Sequence, residues 1–194
     1  MATLITPEEL LSLYAAGWFP MAMPDGSIRC FSPDPRGILP IEDFRIPHGA
    51  RKVLRDRRWE VRQNTSFEQV VRACSNRRET WIDETIIQSY LGLYRAGHAH
   101  SLEVWREGML AGGLYGVQIG GAFFGESMFH HVPGASKVAL IVLATRLQTA
   151  GFQLLDTQWT TPHLAQFGAI SIPRREYLQR LQSAIRTTPH SRLE

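Results

Sequence analysis

From Asn64 onward the apolar positions alternate between helix-length and strand-length segments, whereas before it they are sparse and interrupted by proline and glycine. The regular part predicts a helix over Ser66–Cys74 and a second from the Asp83 cap to Ala96 with Gly97 as terminator. A hairpin of Ser101–Arg106 and Met109–Ile119 around Glu107-Gly108 follows, then a strand at Ala122–Phe129. Next come a helix over Ala135–Ala150 ended by Gly151, a strand at Gln153–Gln158, a short helix capped by Thr161 with Pro162 at its start, a strand at Ala169–Ile172 and a helix opened by Pro173. The earlier part has one clear helix, in which Thr6 caps, Pro7 fits the first turn and Glu9 completes a capping box, running to about Ala16. Gly17-Trp18-Phe19-Pro20 stops it, and short extended pieces at Ile28–Phe31 and Gly37–Leu39 flank the turn Ser32-Pro33-Asp34-Pro35. The expected organisation is a small, strand-poor lobe over residues 1–60 and an α/β (α+β) domain over 61–194, with a frayed tail from Thr187.

A meander of antiparallel strands followed by a βαβ unit with a buried helix resembles the acyl-CoA N-acyltransferase fold, which alone fixes no function. Three polar residues interrupt its apolar run. Glu126 lies in the first strand of the βαβ unit, and Asp156 and Gln158 close the second. Polar groups buried there are costly unless paired or used, and strand ends of this kind commonly face a pocket.

Composition narrows the class without naming a chemistry. At 194 residues, 44% hydrophobic and 20% charged, the chain has enough apolar surface for a real core. Of 21 basic residues only Lys52 and Lys137 are lysines, a bias that suits phosphate contact but also follows from GC-rich codon usage. Cys30 and Cys74 form no CxxC pattern, and a reducing cytoplasm fits two isolated cysteines. Met1 to Pro7 lacks the basic and apolar regions of a signal peptide, and the run Val138–Ala144 is too short for a membrane span, so a cytoplasmic chain with no membrane partner is expected.

Separate motifs carry a family resemblance. Ser32-Pro33-Asp34-Pro35-Arg36, Thr80-Trp81-Ile82, Gly97-His98-Ala99-His100-Ser101 to Val104-Trp105, Gly125-Glu126-Ser127-Met128-Phe129, Ala135 to Leu140, Leu155-Asp156-Thr157-Gln158 and His163-Leu164 to Phe167-Gly168-Ala169 occur in order. Together, from Thr6 to Leu181, they resemble the bacterial leucyl/phenylalanyl-tRNA–protein transferases. The resemblance implies transfer of Leu, Phe or Met from aminoacyl-tRNA to the N-terminal Arg or Lys of acceptor proteins, marking them for degradation by the N-degron route. It implies no cofactor and no metal. Members usually begin with a longer Gly-rich segment, so a trimmed first lobe is expected, and Met21 stands where the family often has Trp.

An aminoacyl ester is already activated, so attack by an amine needs positioning, a home for the developing oxyanion and removal of one proton. With an α-amino pKa of about 7.7 to 8.0, on the order of a tenth of the amine is already neutral near pH 7. Gln158 is expected to accept a hydrogen bond from that amine, and Asp156, two residues earlier on a regular strand, to orient the Gln158 amide. Glu126 is expected to hold the substrate amine or the acceptor's positive side chain. By resemblance Leu114, Phe123, Met128, Leu140, Leu143, Leu147 and Leu155 line the aminoacyl pocket, although an ordinary core has the same composition. Tyr14, Trp81 and Tyr90 match positions near the terminal adenosine, where base stacking contributes about 1 to 3 kcal/mol.

His48, Arg51, Lys52 and Arg55 fall at i, i+3, i+4 and i+7, one stripe suited either to tRNA phosphates or simply to solvent. Two other readings stay open. An acyl-CoA N-acetyltransferase on the same fold would need a Gly-rich pyrophosphate loop where this chain has His130 to Lys137, and an RNA-binding module would leave Asp156 and Gln158 without a purpose. His130, His131 and His163 could be read as metal ligands, but scattered surface histidines are far commoner.

Overall fold

The computed structural model describes residues 4–191, and within them a seven-stranded sheet with strand order β4-β5-β6-β7-β8-β3-β9. The strands are β3 (Arg36–Ile38), β4 (Trp59–Gln63), β5 (Ala99–Arg106), β6 (Met109–Ile119), β7 (Ala122–His130), β8 (Leu154–Gln158) and β9 (Ile170–Ile172). Neighbours are antiparallel except β7 and β8, which run parallel because α5 (Ala135–Ala150) carries the chain between them. The expected meander followed by a βαβ unit is therefore present. The β5–β6 turn uses Glu107 and Gly108, both with positive φ, as a two-residue hairpin with strand-matched twist requires.

The expected division near residue 60 falls within β4, which pairs along its whole length with β5. β3 comes from the same early stretch and lies between β8 and β9. Ahead of it, α1 (Pro7–Ala15) leads into a separate hairpin of β1 (Phe19–Ala22) and β2 (Ile28–Phe31). β1 and β4 have no counterpart among the expected strands: Pro20 interrupts one, and the other follows a basic run that masks its alternation. The Thr6 capping box is formed in both directions.

Apolar side chains pack on both faces of the sheet. One cluster joins α1, α3 (Phe67–Ser75), α4 (Glu84–Arg95) and α7 (Arg174–Ala184) around Tyr14, Tyr90, Phe124 and Tyr177. The other surrounds α5, whose Val138, Leu140, Leu143 and Leu147 are all buried, as a crossover helix pressed between a sheet and other elements must be. α2 (His48–Leu54) packs against the start of α5, where a Cβ on Gly134 would come within 2.7 Å of Val53. Buried Glu103 is satisfied locally, accepting from Ser101, from the Thr65 hydroxyl and from two backbone N–H groups that open α3. Contrary to the expected fraying from Thr187, Thr187 and His190 hydrogen-bond back to α7 and to the end of α5. The first residues of the Met1 to Pro7 reading and residues 192–194 of the tail lie outside the described residues. Among the described residues no helix is long and apolar enough to cross a membrane.

Candidate active site

Two backbone irregularities aim polar side chains into one cavity. On β7 the register with β6 slips by one residue, pairing Tyr115 with Ser127 but Gly116 with Gly125, so Glu126 is the extra, bulged residue. Such bulges redirect a side chain that a regular strand would place elsewhere. On β8, Gln158 has a φ of +57°, one of three non-glycine residues in the left-handed region among those described. Their side chains meet, with Gln158 Nε2 donating to Glu126 Oε1 at 3.1 Å. This contact commits the amide nitrogen and leaves Gln158 Oε1 as the free acceptor.

Asp156 is tied elsewhere. Fully buried, it accepts from Arg36 Nε at 3.0 Å and Nη2 at 2.6 Å, from the Tyr177 hydroxyl at 2.7 Å, and from the backbone N–H of Gln158 at 2.9 Å. Arg36 is itself fully buried between the rings of Phe19 and Tyr177 and donates to the Gly17 carbonyl. The expectation that Asp156 orients the Gln158 amide is thus corrected: the strand does not stay regular, and Asp156 pins the backbone of Gln158 while Glu126 holds its side chain. Removing one member of a buried pair leaves an uncompensated charge, so Arg36 and Asp156 stand or fall together.

Among the described residues no cation pairs with Glu126. The Tyr90 hydroxyl donates to its Oε2 at 3.0 Å and in turn hydrogen-bonds the Tyr14 hydroxyl. Burial pushes the Glu126 carboxyl up to about 7, against the Tyr14 and Tyr90 hydroxyls, which favour the anion. Burial likewise raises the Tyr14, Tyr90 and Tyr115 hydroxyls well above the usual range, so all three stay protonated donors.

The cavity has a volume of about 280 Å³, with an apolar floor and a polar end at Glu126 and Gln158. Three buried polar atoms on its wall, Tyr115 Oη, Thr157 Oγ1 and His163 Nε2, have no hydrogen-bond partner among the described residues. In a folded protein such orphans are rare and mark places where a ligand's polar groups can bind. Arg77 also borders the cavity, hydrogen-bonded to Ser127 Oγ and the Met128 carbonyl.

An apolar recess ending in an amide and a neutral-range carboxyl fits an aminoacyl group better than a phosphate or a metal. The leucyl/phenylalanyl-tRNA protein transferase family matches residues 38–182, and the N-terminal domain of the same family matches residues 4–34. The chain belongs to this family. A protein named leucyl/phenylalanyl-tRNA–protein transferase from Gloeobacter violaceus is 50% identical over 186 residues, covering 95% of this chain and 96% of its own length. One of the same name from Salinibacter ruber is 48% identical over 186 residues, covering 95% of this chain and 82% of its own length. A conserved protein of unknown function from Bacteroides thetaiotaomicron overlaps 92% of this chain and 64% of its own at a TM-score of 0.51 and 10% identity, a likeness of fold alone.

Within the leucyl/phenylalanyl-tRNA protein transferase frame, Leu114, Met128, Leu140, Leu143 and Leu155 line the cavity. Leu147 is buried in the core behind it, and Phe123 borders only a narrow gap shared with Leu114 and Leu143. Of the three aromatics expected at the adenosine, Trp81 lines the cavity. Tyr14 and Tyr90 are fully buried with no ring face open to a base, and their hydroxyls serve Glu126 instead. His48, Arg51, Lys52 and Arg55 are all exposed, Arg55 as the C-cap of α2, and nearby Asp56 is taken by Arg58 and Arg106. His163 lines the cavity while His130 and His131 are exposed, and among the described residues no three side chains gather as a metal site. Sequence reasoning assigned no role to Arg36, Tyr115, Thr157 or Tyr177, although Arg36 and Thr157 lay in recognised motifs.

Proposed function

We propose that the cavity holds the aminoacyl end of Leu-, Phe- or Met-tRNA, and that the chain transfers this residue to the N-terminal Arg or Lys of an acceptor protein, feeding the N-degron route in the cytoplasm. The observation that carries this reading is the apolar cavity closed by the Gln158–Glu126 pair, in a chain of this family. Leu114, Met128, Leu140, Leu143 and Leu155 present no polar group to the aminoacyl side chain, which favours large apolar residues. Trp81 and Met21 at the cavity offer a stacking surface to the terminal adenosine.

Gln158 Oε1 accepts a hydrogen bond from the attacking α-amine, because its Nε2 is already committed to Glu126. Above pH 7 Glu126 is an anion that accepts from both Tyr90 and Gln158 and draws the acceptor's amine by charge. Below it, a protonated Glu126 no longer imposes that amide orientation. The amine nitrogen bonds to the ester carbonyl carbon, the carbon–oxygen bond to the ribose breaks, and the amine's proton ends on the ribose oxygen. Tyr115, with a protonated and unpartnered hydroxyl, can donate to the developing oxyanion. The ester supplies the driving force, so the step uses no cofactor or metal.

The exposure of His48, Arg51, Lys52 and Arg55 supports reading this stripe as the grip on acceptor-stem phosphates, in which case aminoacyl-tRNA binding weakens steeply with salt. The test is incubation with Leu-, Phe- and Met-tRNA and a peptide beginning with Arg or Lys. Elongation by one residue supports the reading, and no elongation with all three tRNAs overturns it. An affinity independent of salt would remove the stripe from it.

A further inference from the structure

The chain leaving Gln158 crosses directly over β3. A Cβ on Gly37 would lie 2.4 Å from the Trp159 carbonyl carbon and 2.6 Å from Thr160 N, so glycine is required for the crossing. Strand register sets Gln158, Gly37 and Ser171 side by side across β8, β3 and β9. At about 4.8 Å per strand, Ser171 is therefore about 10 Å from Gln158. There the Thr160 and Ser171 hydroxyls hydrogen-bond at 2.9 Å. The crossing opens into a second recess of about 370 Å³, bordered by Phe31, Asp34, Trp159, Thr160 and Ser171. Trp159 also borders the aminoacyl cavity, so the two recesses share this residue.

We propose that this recess binds the cationic side chain of the acceptor's first residue, with Asp34 as its counter-ion and Trp159 and Phe31 as its aromatic walls. The proposal rests on the transfer reading above and locates the acceptor's specificity. With the α-amine at Gln158, an extended arginine or lysine side chain covers most of the span across the Gly37 crossing. Asp34 Oδ1 accepts from the Arg174 backbone N–H at 3.1 Å, and among the described residues no cation pairs with the Asp34 carboxylate. The Arg174 guanidinium donates to the Ser32 carbonyl instead. Asp34 therefore keeps free acceptor capacity at the rim of a recess that Trp159 also lines, an aromatic residue of the kind that attracts cations, with hydroxyls that accept from them. Glu126 serves the α-amine, and Asp34 serves the side chain.

Asp34→Asn tests this, because the amide oxygen can still accept from Arg174 while the charge is gone. Transfer from Leu-tRNA is measured with peptides that differ only in their first residue: Arg, Lys or the neutral isostere citrulline. The wild type should prefer Arg to citrulline. Asp34→Asn should raise KM for the Arg peptide about fivefold, the upper range for an exposed charge pair, with kcat within twofold and the citrulline KM unchanged. If the variant keeps the wild-type discrimination between Arg and citrulline, the proposal is overturned. Should Asp34→Asn melt below the wild type, Ser171→Asp decides: a stronger preference for Arg supports the site, and an unaltered preference overturns it. A wild type that transfers to no peptide sinks the transfer reading itself, a distinguishable failure.

Discussion

Two carboxylates stand within neighbouring parallel strands, and the protein treats them in opposite ways. Asp156 is fully enclosed, bound twice by Arg36 and once each by Tyr177 and the Gln158 backbone. Among the described residues Glu126 receives neutral donors, Tyr90 and Gln158, and burial lifts it to about 7. Pairing makes the first a fixed strut, and its lack leaves the second able to change charge near neutral pH. Neighbouring carboxyls in unlike environments take unlike roles, here support on one side and amine handling on the other.

Breaking the strut should have the largest effect. Arg36→Met strands the Asp156 charge and is expected to cost about 3–5 kcal/mol of folding stability, read by urea unfolding at neutral pH. A loss below about 1 kcal/mol would mean that the pair is not the support described. Gln158→Ala removes the side chain that Glu126 holds and keeps the backbone N–H that Asp156 pins. Transfer should fall on the order of a hundredfold while the melting temperature stays close to the wild type, because the side chain's role is alignment. Transfer within a fewfold of wild type would contradict that role.

Glu126→Gln isolates the other carboxylate through the pH dependence of stability. The folded-state value lies above the ordinary 4.5, so the fold favours the protonated form; that contribution is present below about 4.5 and lost as pH rises through about 7. Wild-type stability relative to the variant should therefore decline by on the order of 2 kcal/mol across that window, discounted for partial exposure. A flat difference in unfolding free energy between the two would place Glu126 in the ordinary carboxylate range. Tyr90→Phe gives the smallest change, about 1 kcal/mol for one hydrogen bond, and removes a donor that favours the anion. The Glu126 midpoint, followed by carboxyl carbon NMR, should move upward; an unmoved or lowered midpoint counts against the Tyr90 contact.

Sequence patterning reached the elements and the polar trio, because caps, terminators and a carboxylate in an apolar run are local signals. It did not reach how the trio is wired. Arg36 and Asp156 are 120 positions apart, and nothing local marks them as partners. The Glu126 bulge lies inside a continuous strand-like run, where one extra residue leaves no trace in composition. Gln158 reads as the last residue of a regular strand, and the left-handed turn that redirects it is held by Asp156 and by the crossing over Gly37. Tyr14 and Tyr90 looked like base-stacking aromatics, but burial turns their faces inward and leaves only their hydroxyls at the site.

The most direct test is the pH dependence of single-turnover transfer from Leu-tRNA to an Arg-initiated peptide, compared between wild type and Glu126→Gln. The ratio of their rates should rise through a midpoint near 7, the region where Glu126 becomes the anion that sets the Gln158 amide. A ratio that stays constant from pH 6 to about pH 8, with the amine's own ionisation common to both proteins, would contradict a titrating Glu126 at the centre of this site.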